Sequence, residues 1–173
     1  MSRPRPEVVW LNGPFGVGKS SVAELLRDRL IEATVFDPEP FGTLLRDAVP
    51  AGWELDDFQE IPTWRDLTRE TVSSLVRHTG QTVIVPMTIV EPPFFVEIVD
   101  ELRMRHRLAH FTLLASTETI VSRLVSRSGA EDWGRARVDR CSGRLADDAF
   151  ATHLRTDLHA PADIAAQIAD LLS

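Results

Sequence analysis

The stretch Gly13-Pro14-Phe15-Gly16-Val17-Gly18-Lys19-Ser20 limits what this 173-residue chain can fold into more than any other. A glycine, four residues and then Gly-Lys-Ser is the spacing of a phosphate-cradling loop. Such a loop turns consecutive backbone N–H groups inward, which requires positions without a Cβ. Lys19 then faces the β- and γ-phosphates as a point charge, and the Ser20 hydroxyl becomes a ligand for Mg²⁺. Lys19 is the only lysine of the chain; the other strong bases are all arginine. The loop needs a buried strand before it and a helix after it. Val8-Val9-Trp10-Leu11 is a short apolar run with a β-branched start, and Val22, Leu25, Leu26 and Leu30 recur at helical spacing. The nucleotide-binding set is therefore read as Gly13, Pro14, Phe15, Gly16, Val17, Gly18, Lys19, Ser20 and Ser21, with ATP and Mg²⁺ as cofactors.

Further strands are expected at 34–36, 82–85, 108–114 and 151–154, with helices at 41–49, 63–78, 92–105, 117–127 and 136–145 and a last helix near the C-terminus. Leu67, Val72, Leu75 and Val76 are expected to be the buried face of the 63–78 helix. Strands alternating with helices imply an α/β fold, a five-stranded parallel sheet with helices on both faces. The whole chain, 1–173, reads as one domain, with a lid near 128–140 and a substrate-side flap near 38–63. Asp37-Pro38-Glu39-Pro40 closes the second strand, and its prolines are read as forbidding helix there. Asp37 thus falls at a strand's carboxyl end, the edge where open α/β sheets hold ligands. It can take a proton from an acceptor hydroxyl or hold a Mg²⁺-bound water. The third strand, Val83-Ile84-Val85-Pro86, carries no carboxylate, which strengthens Asp37 and leaves Glu91 as a substitute. Arg123 and Arg127 lie four apart and share a helix face suited to a base and terminal phosphates. Arg137 and Arg140 crowd the lid as candidates for a charge clamp, and Trp64-Arg65 is a candidate stacking surface for substrate.

A net charge of −7 argues against a general binder of nucleic acid or membrane surface. Cys141 is the single cysteine, no apolar run approaches bilayer length, and the N-terminus lacks a signal-peptide core, so a cytoplasmic protein is expected. The expected partner is a small molecule; a homodimer stays open.

This arrangement resembles the P-loop nucleoside and nucleotide kinases over most of the chain. The resemblance implies a substrate-reading role for Arg46 within Gly-Thr-Leu-Leu-Arg, and contacts of Arg123 and Arg127 with adenine and the ATP phosphates, Arg127 acting in catalysis with Lys19 and Asp37. Trp10 to Ser20, Phe36 to Glu39, Val85 to Val90, His110 to Ser116 and Val138 to Cys141 together resemble the ATP-binding tunicamycin-resistance protein family. That resemblance implies resistance to a nucleoside antibiotic, with Asp37, Met87, Thr88 and the 138–141 segment around the second ligand. The expected activity is a kinase transferring the γ-phosphoryl group to a hydroxyl of a nucleoside or UDP-sugar-like acceptor. ATP-gated sequestration of the antibiotic without modification, and a metabolite kinase, stay open beside it.

Overall fold

Strand β1 (Val8–Asn12) is buried at every residue and occupies the middle of the sheet, as an apolar run that precedes a phosphate loop must. The structure, a computed structural model, describes residues 4–48, 56–128 and 135–173. Along the chain follow α1 (Lys19–Arg29), β2 (Ala33–Val35), α2 (Glu39–Ala48), a 3₁₀ turn (Phe58–Glu60), α3 (Pro62–Thr79) and β3 (Thr82–Pro86). Then come α4 (Pro92–Phe95), a π turn (Val96–Asp100), α5 (Glu101–Arg105) and β4 (Leu108–Leu114). The chain closes with α6 (Thr117–Ser128), α7 (Arg135–Leu145), a 3₁₀ turn (Asp148–Phe150), β5 (His153–Arg155) and α8 (Pro161–Leu171).

All strand pairs are parallel, in the order β2-β3-β1-β4-β5. The period of two along β1 sends Val8 and Trp10 into one apolar layer and Val9 and Leu11 into the other. The first layer is closed by Trp64, Val72 and Val76 of α3 and by Phe95, Ile98, Val99 and Leu102. The second is closed by Val22 and Leu26 of α1, Ile120 and Leu124 of α6, and Ile164 and Ile168 of α8. Helices therefore cover both faces. Helix α7 gives Val138 to one layer and Leu145 to the other, tying the two together.

Local chemistry explains where these elements differ from expectation. Helix α2 begins at Glu39 and takes Pro40 into its first turn. Proline is tolerated there because the N–H it lacks has no intrahelical acceptor. Part of the expected flap, 56–63, is a capped 3₁₀ turn running into α3, while 49–55 lie outside the described residues. Leu67 is 37% exposed rather than core, and β5 starts two residues later than expected.

Candidate active site

The phosphate loop is held from three sides. Gly13 has φ +144°, and a Cβ on it would stand 2.6 Å from the Leu113 carbonyl oxygen of β4, so only glycine fits this approach. Gly16 and Gly18 share the positive φ of the turn. Lys19 opens α1 and is 8% exposed; its Nζ donates to the carbonyls of Gly13 (2.8 Å) and Pro14 (3.1 Å) and to Thr88 Oγ1 (2.7 Å). Thr88, in the loop after β3, donates its own proton to the Gly13 carbonyl at 2.7 Å. On the far side Arg123 donates to the Val17 carbonyl (2.9 Å) and the Thr156 carbonyl (2.7 Å), and the Thr156 hydroxyl donates to Val17 as well.

Asn12, fully buried at the end of β1, straps the loop to the segment after β3. Its Oδ1 accepts from the N–H groups of Gly13 and Ile89, and its Nδ2 donates to the Ile89 carbonyl, all at 2.9 Å. The side chain thus continues the β1–β3 pairing beyond the last backbone bond. Its loss would leave three buried backbone groups unpaired, at about 1–3 kcal/mol each.

Two cavities meet at this loop. One, of about 390 Å³, is lined by Phe15 to Val22, Asp37, Glu39, Pro86, Arg123 and Thr156. Its backbone N–H groups, lysine and Ser20 fit a nucleotide triphosphate tail, and the helix α1 N-terminus adds its positive end. Among the described residues no cluster of three or more His, Cys, Asp or Glu forms a metal cage. Ser20 and Asp37 both border this cavity. The second cavity, of about 470 Å³, is bordered by Pro14, Phe15 and Thr88 at its floor. Asp56, Asp57, Gln59 and Glu60 form one wall, and Val138, Arg140, Cys141 and Arg144 of α7 another. Arg144 pairs with Glu91, which joins α7 to the loop after β3.

No family model matches the chain, and no curated protein matches it in sequence. Among solved structures, the tunicamycin resistance protein of Deinococcus radiodurans superposes with a TM-score of 0.79 at 30% identity, covering 95% of this chain and 94% of that one. The chain belongs to the tunicamycin-resistance protein family. A gluconokinase from Sinorhizobium meliloti 1021 (TM-score 0.65, 17% identity, 98% and 95% covered) shares the fold. So does the APS kinase of Mycobacterium tuberculosis solved with AMPPNP and APS (TM-score 0.59, 20% identity, 98% and 99% covered). The α/β P-loop kinase-like fold expected from the sequence is the one found.

In this member of the tunicamycin-resistance family, Phe15 to Ser21, Asp37 and Arg123 gather around the nucleotide cavity, Pro14, Thr88 and Arg140 around the other, and Gly13 lines neither. Asp37 is exposed and caps α2, its Oδ1 accepting from the Glu39 N–H at 2.9 Å; it borders the nucleotide cavity and not the second one. Met87 does not reach either cavity, because it is fully buried beside Trp10 and Trp64 in the apolar layer. Trp64 is likewise packed inside: its indole N–H donates to the Pro38 carbonyl at 3.0 Å and its ring tilts against Phe58. Arg65 stands behind the wall rather than in it. Its guanidinium holds the Gln59 carbonyl (2.5 Å) and Glu97 (2.7 Å) and lies over the Phe94 ring at 4.6 Å. Arg46 is exposed over the Phe58 ring, outside both linings. The side chains of Arg127 and Arg137 lie outside the described residues, as do 129–134 of the expected lid.

Asn12, Gln59 and Thr156 were not singled out by the sequence. An asparagine directly before the first loop glycine, and a glutamine beside the Asp56-Asp57 pair, are the signals that mark the first two. Two ionisable groups are shifted nearby. Burial on β4 holds His110 neutral, its pKa lowered to about 4. The Arg155 guanidinium, 2.6 Å away, holds Asp157 down to about 2, and Asp157 also accepts from the Ser116 N–H at the entry to α6.

Proposed function

We propose that this chain is an ATP-dependent phosphotransferase of the tunicamycin-resistance family whose acceptor is a hydroxyl of a small nucleoside- or sugar-containing molecule, the antibiotic among them. The observation that carries this reading is the 2.7 Å bond from Lys19 to Thr88. Lys19 borders the nucleotide cavity, Thr88 borders the second cavity, and Phe15 borders both, so the Lys19–Thr88 bond bridges the two spaces, where the lysine would handle terminal phosphates.

ATP supplies the phosphoryl group, and Mg²⁺ neutralises its terminal oxygens. The loop N–H groups and Lys19 would hold the phosphates in line, with Ser20 and a water held by Asp37 on the metal side. Arg123 keeps the loop in shape from behind. The acceptor hydroxyl in the second cavity would form the new P–O bond as the bond to ADP breaks, its proton passing to a carboxylate of that cavity or to water. A loose transition state asks little of a base, so the lack of a carboxylate in β3 is no obstacle.

The test is mass spectrometry of tunicamycin after incubation with the protein, Mg²⁺ and ATP, with Lys19→Ala as control. A gain of one phosphoryl group that the variant does not produce is the expected result. Unchanged drug, bound one-to-one in the presence of ATP, would overturn transfer in favour of sequestration.

A further inference from the structure

Gln59 sits at the centre of the 3₁₀ turn and is 5% exposed. Three of its four polar groups are already engaged. Its N–H donates to Asp57 Oδ1 at 2.9 Å, its carbonyl accepts from Arg65 at 2.5 Å, and its Nε2 donates to the Thr88 carbonyl at 3.0 Å. The carbonyl partner fixes the amide orientation, since only the NH₂ end can donate there. That leaves Oε1 as the one acceptor without a protein partner among the described residues, on a side chain that borders the second cavity. A carbonyl oxygen held in place by its neighbours at a cavity's edge is matched by a donor, a hydroxyl or an N–H.

The same wall carries Asp56, Asp57 and Glu60, with Glu91 beyond them; all four offer oxygens only. The α7 wall adds Arg140 and Arg144, and Arg144 is spent on Glu91. Among the described residues the lining therefore carries four carboxylates and two guanidiniums. Phe15, Val90, Phe94 and Leu124 supply an apolar surface between the two walls.

We propose that Gln59 is a specificity-determining residue: its Oε1 reads a hydroxyl or amine of the acceptor, and the carboxylates beside it exclude acceptors bearing phosphate or carboxylate groups. The acceptor class is then a neutral or cationic polyol, glycoside or amino sugar. Free UDP-sugars and nucleoside monophosphates are turned away by like charge. This rests on the reading that the second cavity holds the acceptor.

Two matched pairs test it, uridine against UMP and N-acetylglucosamine against its 1-phosphate, titrated by calorimetry into the protein with Mg²⁺ and AMPPNP present. The neutral member of a pair is expected to bind at least about tenfold more tightly. Asp56→Asn/Asp57→Asn/Glu60→Gln keeps every capping acceptor of the turn while removing three charges, and should shrink that preference to about threefold or less. Gln59→Leu, checked for folding by its melting curve, should weaken the neutral member about tenfold while AMPPNP affinity stays put. Equal or tighter binding of the phosphorylated members, no binding of any probe at millimolar concentration, or a preference untouched by the triple variant each overturns the proposal. Because the readout is binding, a filter that holds while tunicamycin gains no phosphoryl group sinks the transfer reading alone.

Discussion

Acidification should destabilise this protein through one buried side chain, His110. The ring is 8% exposed on β4, its Nδ1 2.9 Å from the Ala151 carbonyl, its Nε2 3.2 Å from Thr112 Oγ1, and the Phe95 ring meets it edge-on at 4.8 Å. Burial is the main cause of its lowered pKa, and nearby Arg103 and His153 add to it; the Ala151 carbonyl opposes but does not offset them. The folded value of about 4 lies below the ordinary 6.5, so between the two the unfolded chain binds the extra proton. Stability is therefore complete above 6.5 and is lost as pH falls toward 4. At about pH 4.5 the loss from this group alone comes to about 2.5 kcal/mol. Urea unfolding at about pH 7.5 and pH 4.5 measures it, with His110→Asn as the reference because asparagine can still donate to Ala151. His106, also lowered by burial, has the same sign but is present in both proteins and cancels in the difference. Asp157 keeps its charge through the window. The wild type should lose about 2.5 kcal/mol more than the variant across this range. Equal losses would show that His110 is not held neutral by its surroundings.

Thr68 is fully buried in α3 and its hydroxyl has no partner among the described residues, so Thr68→Val, which keeps the shape, should stabilise the fold by about 1 kcal/mol. A lower melting temperature would contradict that account of the hydroxyl. Gly42→Ala should do the opposite of what alanine usually does in a helix interior, because its Cβ would overlap the Phe58 ring. A cost of about 1–3 kcal/mol in urea unfolding is expected, together with weakened acceptor use at unchanged AMPPNP affinity, since Phe58 adjoins Gln59. Unaltered stability would mean that α2 and the 3₁₀ turn slide apart freely.

How far the residues could be read without coordinates depended on how local their physics is. Gly13 to Ser20 is legible because backbone geometry alone demands glycines there, and the strands around it because apolar runs of that length can only be buried. The walls of the second cavity are set by tertiary packing, and there the reading failed in a systematic way. Met87 and Thr88, both expected beside the second ligand, part ways although adjacent: Met87 enters the core and Thr88 meets Lys19. Trp64 and Arg65 look like a stacking pair in sequence; which side of α3 faces the cavity is decided by Phe58, Phe94 and Glu97, all distant along the chain or on another turn. Asp37 does follow the carboxyl end of β2, but a strand end does not reveal which of two adjoining cavities its side chain will border.

The Asn12 strap has an evolutionary corollary. By tying the phosphate loop to Ile89, it makes the cavity floor one mechanical unit, in which a change at Gly13, Lys19 or Thr88 disturbs the others. The walls answer to no such weld: one is a short capped turn propped by Arg65, the other the face of a helix linked by an exposed Glu91–Arg144 pair. Substitutions there can change which molecule is accepted while the phosphate chemistry stays intact. A fold built this way can change the molecule its second cavity accepts by altering its walls, without first surviving damage to its floor.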